Sequence, residues 1–124
     1  MRALAHAAPP VLKIARRAVE NTVVPSNATS IGLSGLTAAM ARLNSSAHNI
    51  ANVLTEDFRP LRTTQAERAE GGVDAHTEQL TEPRAVDLAQ EFVEQIRAQV
   101  AARASLRAID TSLDVLGFLL DETA

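Results

Sequence analysis

The chain has 124 residues and a formal net charge of −3, a length that bounds it to one domain or less. Apolar residues make up 46% of it, but 23 of these are alanine, and aromatic residues make up only 2%. A thick core of large side chains is therefore not expected, and helices packed through small residues are favoured. The chain has no cysteine, which excludes disulfides and thiolate metal sites.

Charge is unevenly distributed along the chain. Residues 1–30 carry a net charge of +3, whereas residues 31–124 carry −6. Because nucleic acids are bound by a basic face, the acidic remainder argues against nucleic acid as a partner. No apolar run approaches the roughly 18 residues of a membrane span. The short apolar stretch before the Pro-Pro pair at positions 9 and 10 also fits a cleaved signal peptide poorly.

Residues 1–30 form an N-terminal extension with the least regular pattern. Pro10 can start a short amphipathic helix that runs through Glu20 and carries two arginines on its polar side. Such a helix can lie on a membrane surface, and the other interpretation is a solvated, partly ordered extension. Pro25 and the polar residues after it break this pattern, so residues 27–30 are predicted to be a linker or helix cap.

An apolar row predicts an N-terminal rod helix at residues 31–54. Its members follow steps of three and four residues, the 3.5-residue period of a helix packed lengthwise on another helix: Leu33, Leu36, Met40, Leu43, Ala47, Ile50 and Leu54. Gly32 and Gly35 each weaken the first turns by about 1 kcal/mol relative to alanine, so these turns either fray or allow close packing. The conformational entropy lost when the backbone is ordered outweighs the free energy gained by burying one apolar row. The helix is therefore predicted to need partners on more than one side.

A longer row predicts a C-terminal rod helix within residues 85–124, with Pro83 placed where a helix can begin. About 37 residues at 1.5 Å each give a rod of roughly 55 Å. The row has the same spacing: Leu88, Phe92, Gln95, Gln99, Ala102, Leu106, Ile109, Leu113, Leu116 and Leu120. The two consecutive glutamines either fix the register of a helix pair from a buried position or lie exposed.

Residues 55–84 are polar and rich in turn formers. Pro60 forces Arg59 out of the helical conformation, so the first helix ends before it. Gly71 and Gly72 predict a hairpin turn between residues 61–69 and 73–80, with an open loop as the alternative. The predicted fold class is mainly α: two long antiparallel helices that form a coiled-coil-like hairpin, with a short polar loop or β-hairpin between them.

No group of residues with catalytic spacing is apparent. Residues 32–35 (GLSG) share a serine and glycines with a nucleophile elbow, but that motif needs G-x-S-x-G after a strand. The three histidines are far apart, and none has a partner at helical spacing. Glu91 and Glu94 share a helix face, but no histidine completes a carboxylate metal motif. We therefore expect no cofactor, no metal and no small-molecule substrate, and the protein is predicted not to be an enzyme.

Both helices carry motifs that resemble the bacterial flagellar rod and hook family. At the N-terminal side these are residues 34–39 (SGLTAA) and 42–53 (RLNSSAHNIANV), followed by Thr55 and the Phe58-Arg59 pair. At the C-terminal side they are residues 86–93 (VDLAQEFV), 98–99 (AQ), 109–111 (IDT) and 116–120 (LGFLL). The match covers residues 31–59 and 85–121 in the family's order. It departs from the family pattern at Val100, Ala102 and Ser105, where arginine, an aromatic residue and asparagine are usual.

The resemblance implies a structural subunit of the flagellar basal-body rod, of a small proximal-rod type because the middle segment is short. Family members are exported through the flagellar type III apparatus without signal cleavage and form a rod that spans the periplasm. They assemble with copies of themselves and with other rod or hook subunits through paired terminal helices. The residues expected to carry this assembly are Leu33, Leu36, Met40, Leu43, Ile50, Leu88, Phe92, Gln99, Leu106, Ile109, Leu113, Leu116 and Leu120. The alternative is a stand-alone helical adaptor or chaperone that binds a partner helix.

Overall fold

A computed structural model of the chain describes residues 24–122, with side chains from residue 28 onward. The elements in chain order are α1 (Val24–Ala51), β1 (Leu61–Glu67), β2 (Val73–Gln79) and α2 (Leu88–Glu122). The fold is thus mainly helical, with a small antiparallel two-stranded sheet between two long helices, as the sequence predicts. The amphipathic helix predicted from Pro10 lies outside the described residues.

The first helix is longer at its start than the sequence predicts. α1 begins at Val24 rather than at residue 31, so residues 27–30 are helical and not a linker. Pro25 is the second residue of the helix, where the missing N–H of proline removes no helical hydrogen bond. The helix ends at Ala51 rather than at residue 54, and the chain leaves it through a turn in which the Asn52 N–H donates to the Asn49 carbonyl at 3.1 Å.

The second helix begins at a side-chain cap. The Asp87 carboxylate accepts backbone hydrogen bonds from Ala89 at 3.0 Å and from Gln90 at 3.2 Å. These bonds satisfy N–H groups that have no helical partner in the first turn. α2 therefore starts at Leu88 and not near Pro83. Its 35 residues make a rod of about 52 Å at 1.5 Å per residue.

Substitution of this cap is expected to weaken α2 measurably. We expect Asp87→Ala to lower the free energy of unfolding by about 1 kcal/mol, because two backbone N–H groups lose their acceptor. Asp87→Asn keeps an acceptor at the same position and should lie within a few tenths of a kcal/mol of the unsubstituted protein. Urea unfolding followed by circular dichroism measures both, and equal losses in the two variants would contradict the capping role.

The predicted hairpin is confirmed, with its turn at the two glycines. β1 and β2 pair in antiparallel register from Leu61 opposite Gln79 to Glu67 opposite Val73. Gly71 and Gly72 have φ angles of 91° and 89°, which residues with a Cβ rarely adopt. The glycine pair therefore fixes where the strands end.

An exposed ion pair at the hairpin loop gives a pH-dependent signal. The Arg68 Nε donates to the Asp74 carboxylate at 2.7 Å, and this hydrogen bond lowers the pKa of Asp74. Because the folded pKa is the lower one, the stabilisation is present above the unfolded pKa and is lost as the pH falls through the folded value. By NMR titration, the Asp74 midpoint should rise in Arg68→Gln; equal midpoints in the two proteins would show that the pair does not form in solution.

The two helices pack lengthwise in opposite directions. At one end the hydroxyls of Thr29 and Ser112 are hydrogen-bonded at 2.8 Å. At the other end the Ser46 hydroxyl donates to the Glu91 carbonyl at 3.0 Å. Residues early in α1 therefore meet residues late in α2, as in an antiparallel pair, and the hairpin packs on α1 beside them.

Small residues fill the space between the helices. Ala39 and Ala98 are fully buried. A Cβ added at Gly32 would lie 2.7 Å from the Ile109 Cγ1, too close to fit without movement, and 3.3 Å from the backbone oxygen of Ser105, which is also tight. Gly32 therefore lets the two backbones approach closely, and of the two predictions for this glycine the close packing is confirmed.

Candidate assembly surface

The contact row of α2 shares Gln95, Ala102 and Ile109 with the predicted row and differs from it at its other positions. The buried and half-buried residues on the side facing α1 include Gln95, Ala98, Ala102, Ser105, Ile109 and Ser112. Three of these, Ala98, Ser105 and Ser112, take the places predicted for Gln99, Leu106 and Leu113. Because α1 offers glycine and alanine to this row, small side chains close the gap between the helices, whereas larger ones would hold the helices apart.

The large apolar residues predicted for assembly remain mostly on the surface. Ile109 is half-buried against Gly32 at the helix contact, and Gln99 is exposed. Three residues of α1 are also half-buried: Leu36, Leu43 and Ile50. The remaining residues are between 40% and 64% exposed: Leu33, Met40, Leu88, Phe92, Leu106, Leu113, Leu116 and Leu120.

The contacts of α1 show where its exposed apolar row points. Ile31 and Ser34 face the hairpin turn, since a Cβ at Gly71 or Gly72 would meet them. Gly32 and Gly35 face α2. At about 100° per residue, the row that starts at Leu33 lies beyond the α2 contact, on the side away from the hairpin.

The corresponding row of α2 lies on the same side of the molecule. Around the axis of α2, this row lies about 60° from the residues that contact α1, on the side of Leu88, Phe92 and Leu106. Because the helices run in opposite directions, the two rows fall next to each other rather than face to face. We call this surface the apolar face; it consists of Leu33, Leu36, Met40, Leu43 and Ile50 of α1 with Leu88, Phe92, Leu106, Leu113 and Leu120 of α2.

The last turns of α2 are exposed, with apolar residues on one side and carboxylates on another. Val115, Phe118 and Leu119 lie within about 100° of one another around the helix axis and are 51%, 69% and 50% exposed. We call residues 110–122 the acidic end, since they hold four carboxylates and no basic residue: Asp110, Asp114, Asp121 and Glu122.

Asn49 joins three elements at the opposite end of the helix pair. It is 3% exposed, and its amide donates to the Leu61 carbonyl at 2.9 Å and to the Glu91 carboxylate at 2.8 Å. Its side-chain oxygen accepts the Leu61 N–H at 2.7 Å. The Asn49 side chain thus bonds both backbone groups of Leu61, as a neighbouring strand would. It also attaches the first turn of α2 through Glu91.

The apolar pattern of α1 does not single out Asn49. In the sequence it is only a polar residue next to Ile50, and its importance follows from a position that faces the interior of the fold. Ser34 has a comparable structural role: its hydroxyl donates to the Ile31 carbonyl at 2.7 Å and accepts the Val73 N–H at 3.1 Å. The serine of the GLSG segment therefore attaches the hairpin to α1.

A cleft of about 620 Å³ lies between the base of the hairpin and the first turns of α2. Its volume is in the range of ligand pockets, about 300–1,000 Å³. Buried Ser45, Ser46 and Asn49 form part of its wall. We call it the arginine cleft, because four arginines line it: Arg42, Arg62, Arg84 and Arg97.

Within residues 24–122, no group of three or more histidine, aspartate or glutamate side chains is arranged to hold a metal ion. Neither helix of this part of the chain is long and apolar enough to cross a membrane. No family model matches the sequence, and no curated protein matches it. The flagellar resemblance therefore stays a prediction, and the surfaces described above carry the functional argument.

Proposed function

We propose that this chain is a structural subunit of the bacterial flagellar basal-body rod. In this proposal the two helices act as one coiled-coil-like unit and join copies of the chain and related rod or hook subunits. The observation that carries it is the apolar face: ten large apolar side chains on one side of two helices that hold each other through small residues. The family motifs on both helices add the flagellar context.

The apolar face has the character of an interaction surface. Contiguous apolar patches on soluble monomers mark sites where a partner binds. Full burial of a leucine, methionine or phenylalanine stabilises by about 1.5–3 kcal/mol relative to exposure. Since Phe92, Leu106 and Leu113 are about half exposed, a partner helix laid along this face gains substantially from covering them.

Small residues are buried between the helices, whereas large apolar residues are exposed. This arrangement is more typical of a subunit of an assembly than of a self-contained domain. Helices that meet through Ala39 and Ala98 form a thin ribbon with little apolar burial of their own. Such a ribbon gains most of its stability by lying against neighbours. The proposal accordingly places the protein in the periplasm-spanning rod after type III export, with no catalytic role.

Three substitutions of α2 separate assembly from folding. Leu106→Asp and Leu113→Asp change the apolar face and should abolish assembly and motility while the helix content of the monomer is retained. Ile109→Asp places a charge at the Gly32 contact and should unfold the monomer. Ala104→Asp lies on the exposed opposite side of α2 and serves as the matched control, with motility unchanged.

Soft-agar motility and circular dichroism of the purified chain measure these outcomes. The proposal is wrong if Leu106→Asp and Leu113→Asp both leave motility normal in a strain that depends on this chain. Equal loss of helicity in these two variants and in Ile109→Asp would show instead that the apolar face is part of the monomer's own core.

A stand-alone adaptor or chaperone that binds a partner helix is the second candidate. The Asn49 junction favours it, because those hydrogen bonds fix the hairpin and both helices within one chain. Such a protein would be fully folded on its own and monomeric or dimeric at micromolar concentration. Sedimentation velocity combined with circular dichroism over a dilution series distinguishes it from a rod subunit, whose helicity and mass should rise with concentration.

A further inference from the structure

The last turns of α2 expose an apolar side that does not belong to the apolar face. Val115 and Phe118 are 51% and 69% exposed. At about 100° per residue, both lie at least about 140° around the helix axis from Leu113 and Leu120 of the apolar face. A partner helix laid along the apolar face therefore leaves this side uncovered.

Carboxylates border this apolar side. Asp114 and Asp121 lie about 40° and 60° from Phe118 around the same axis, and both are exposed. The acidic end as a whole carries four carboxylates and no basic residue. Because arginine binds carboxylates through charge-assisted hydrogen bonds, this surface suits a segment whose apolar side chains are flanked by arginines.

The start of α1 lies beside the acidic end. The hydrogen bond between the Thr29 and Ser112 hydroxyls sets the level of the two helices. Because the helices run in opposite directions, Val24, five residues before Thr29, is level with Gly117, five residues after Ser112. The chain that precedes Val24 therefore joins the described fold next to the acidic end.

A segment with the required apolar and basic residues precedes α1 in the sequence. It is residues 10–20, which lie outside the described range. In the amphipathic helix that Pro10 can start, the apolar residues share one side, and Arg16 and Arg17 lie at its two borders. Three basic residues and Glu20 give the segment a net charge of +2, and the four carboxylates give the acidic end −4. Eleven residues make about 16 Å of helix at 1.5 Å each, the same length as residues 112–122.

The connection between the segment and α1 is long enough for the segment to reach α2 in the same molecule. Residues 21–23 span up to about 10 Å when extended, and the axes of packed helices lie about 8–10 Å apart. A connection this short also gives each part an effective concentration on the order of millimolar toward the other. Contact within one molecule is therefore favoured over contact between copies.

We propose that residues 10–20 pack along the acidic end of their own molecule. Their apolar side covers Val115 and Phe118, and Arg16 and Arg17 lie beside the carboxylates that border these two side chains. The basic charge before residue 31 is then balanced by acidic charge at the end of α2. The segment occupies a side of α2 that the apolar face leaves open, so this contact does not require that the chain be a rod subunit.

A nitroxide label on the full chain tests this contact by NMR. The chain has no cysteine, so Ala8→Cys provides a single labelling site that leaves residues 10–20 unchanged. The label should broaden the amide signals of residues 110–118. Arg16→Asp/Arg17→Asp should reduce this broadening at least about twofold, because it reverses two charges at the contact.

A charge exchange separates this contact from simple proximity along the chain. Asp114→Arg/Asp121→Arg should reduce the broadening as the arginine variant does, and the chain that carries all four substitutions should recover it. Arg2→Asp changes the charge of the same extension outside residues 10–20. It is the matched control and should leave the broadening unchanged.

Three results would overturn the proposal. The first is broadening that neither double variant reduces or that the four-substitution chain does not recover. The second is equal broadening when the label is on a separate, isotopically unlabelled copy, which would assign the contact to two molecules. The third is binding to phosphatidylglycerol vesicles that Arg16→Asp/Arg17→Asp abolishes, without charge-dependent broadening, which would assign the segment to a membrane surface. None of these variants changes the apolar face, so motility of the Leu106→Asp variant tests the proposed function separately.

Discussion

Replacement of Asn49 by alanine is expected to lower the free energy of unfolding by about 3 kcal/mol. The substitution removes three hydrogen bonds and leaves the Leu61 N–H, the Leu61 carbonyl and the Glu91 carboxylate without their partner. Each buried polar group without a partner costs about 1–3 kcal/mol, and water that enters from the arginine cleft recovers part of this. Urea unfolding at neutral pH measures the loss.

Asn44→Ala is the matched control for this prediction. Asn44 lies on the same helix but is exposed, so its removal should change stability by less than about 0.5 kcal/mol. Asn49→Asp provides a second comparison, because it keeps the size but turns a donor into an acceptor opposite the Leu61 carbonyl and the Glu91 carboxylate. Asn49→Ala and Asn44→Ala with the same unfolding midpoint would refute the junction.

The second large effect is expected at Gly32, where Gly32→Val should destabilise the chain by about 2–3 kcal/mol. A Cβ at this position already meets the Ile109 Cγ1 at 2.7 Å and the Ser105 backbone oxygen at 3.3 Å. Valine adds two methyl groups to this contact, and overpacking of a tight interface costs about 1–3 kcal/mol. The helices must separate to accept it, so the loss should appear as a lower thermal midpoint and reduced helicity.

Gly117 provides the opposite result within the same fold. A Cβ at Gly117 would meet nothing within 4 Å, so Gly117→Ala gains helix propensity of up to about 1 kcal/mol without a clash. The pair of substitutions distinguishes close packing from a general effect of glycine replacement. A stabilising effect of both Gly32→Val and Gly117→Ala would mean that the helices do not approach at Gly32.

The element types and the hairpin could be predicted from the sequence because their signals are local. Apolar residues at a period near 3.5 require a helix wherever they occur. Gly71 and Gly72 supply the positive φ angles that the turn between β1 and β2 needs. α1 begins earlier than the sequence predicts because Pro25 lies in its first turn, where a proline is tolerated and does not break the helix.

The rotation of the helix contact could not be predicted from the apolar pattern. Hydrophobicity alone assigns Leu106 and Leu113 to the interior, whereas the structure buries Ala98 and Ser105 more deeply. Which residues of α2 face α1 depends on the surface of α1. The glycines of α1 favour small side chains on α2, and this can be seen only when the two helices are positioned against each other. The role of Asn49 is equally non-local, since its partners lie in β1 and α2.

The two ends of the helix pair differ in how strongly they resist separation. At Asn49 and Glu91 hydrogen bonds and the attached hairpin oppose opening, whereas near Ser112 the contacts described between the two helices are the Thr29–Ser112 hydrogen bond and the packing of Ile109 against Gly32. Proteins open locally where few such contacts must be broken. The two helices should therefore separate first at the Ser112 end, while the Asn49 end stays packed. We expect the backbone amide protons of α2 to exchange with solvent at rates that increase steadily from residue 91 toward residue 120.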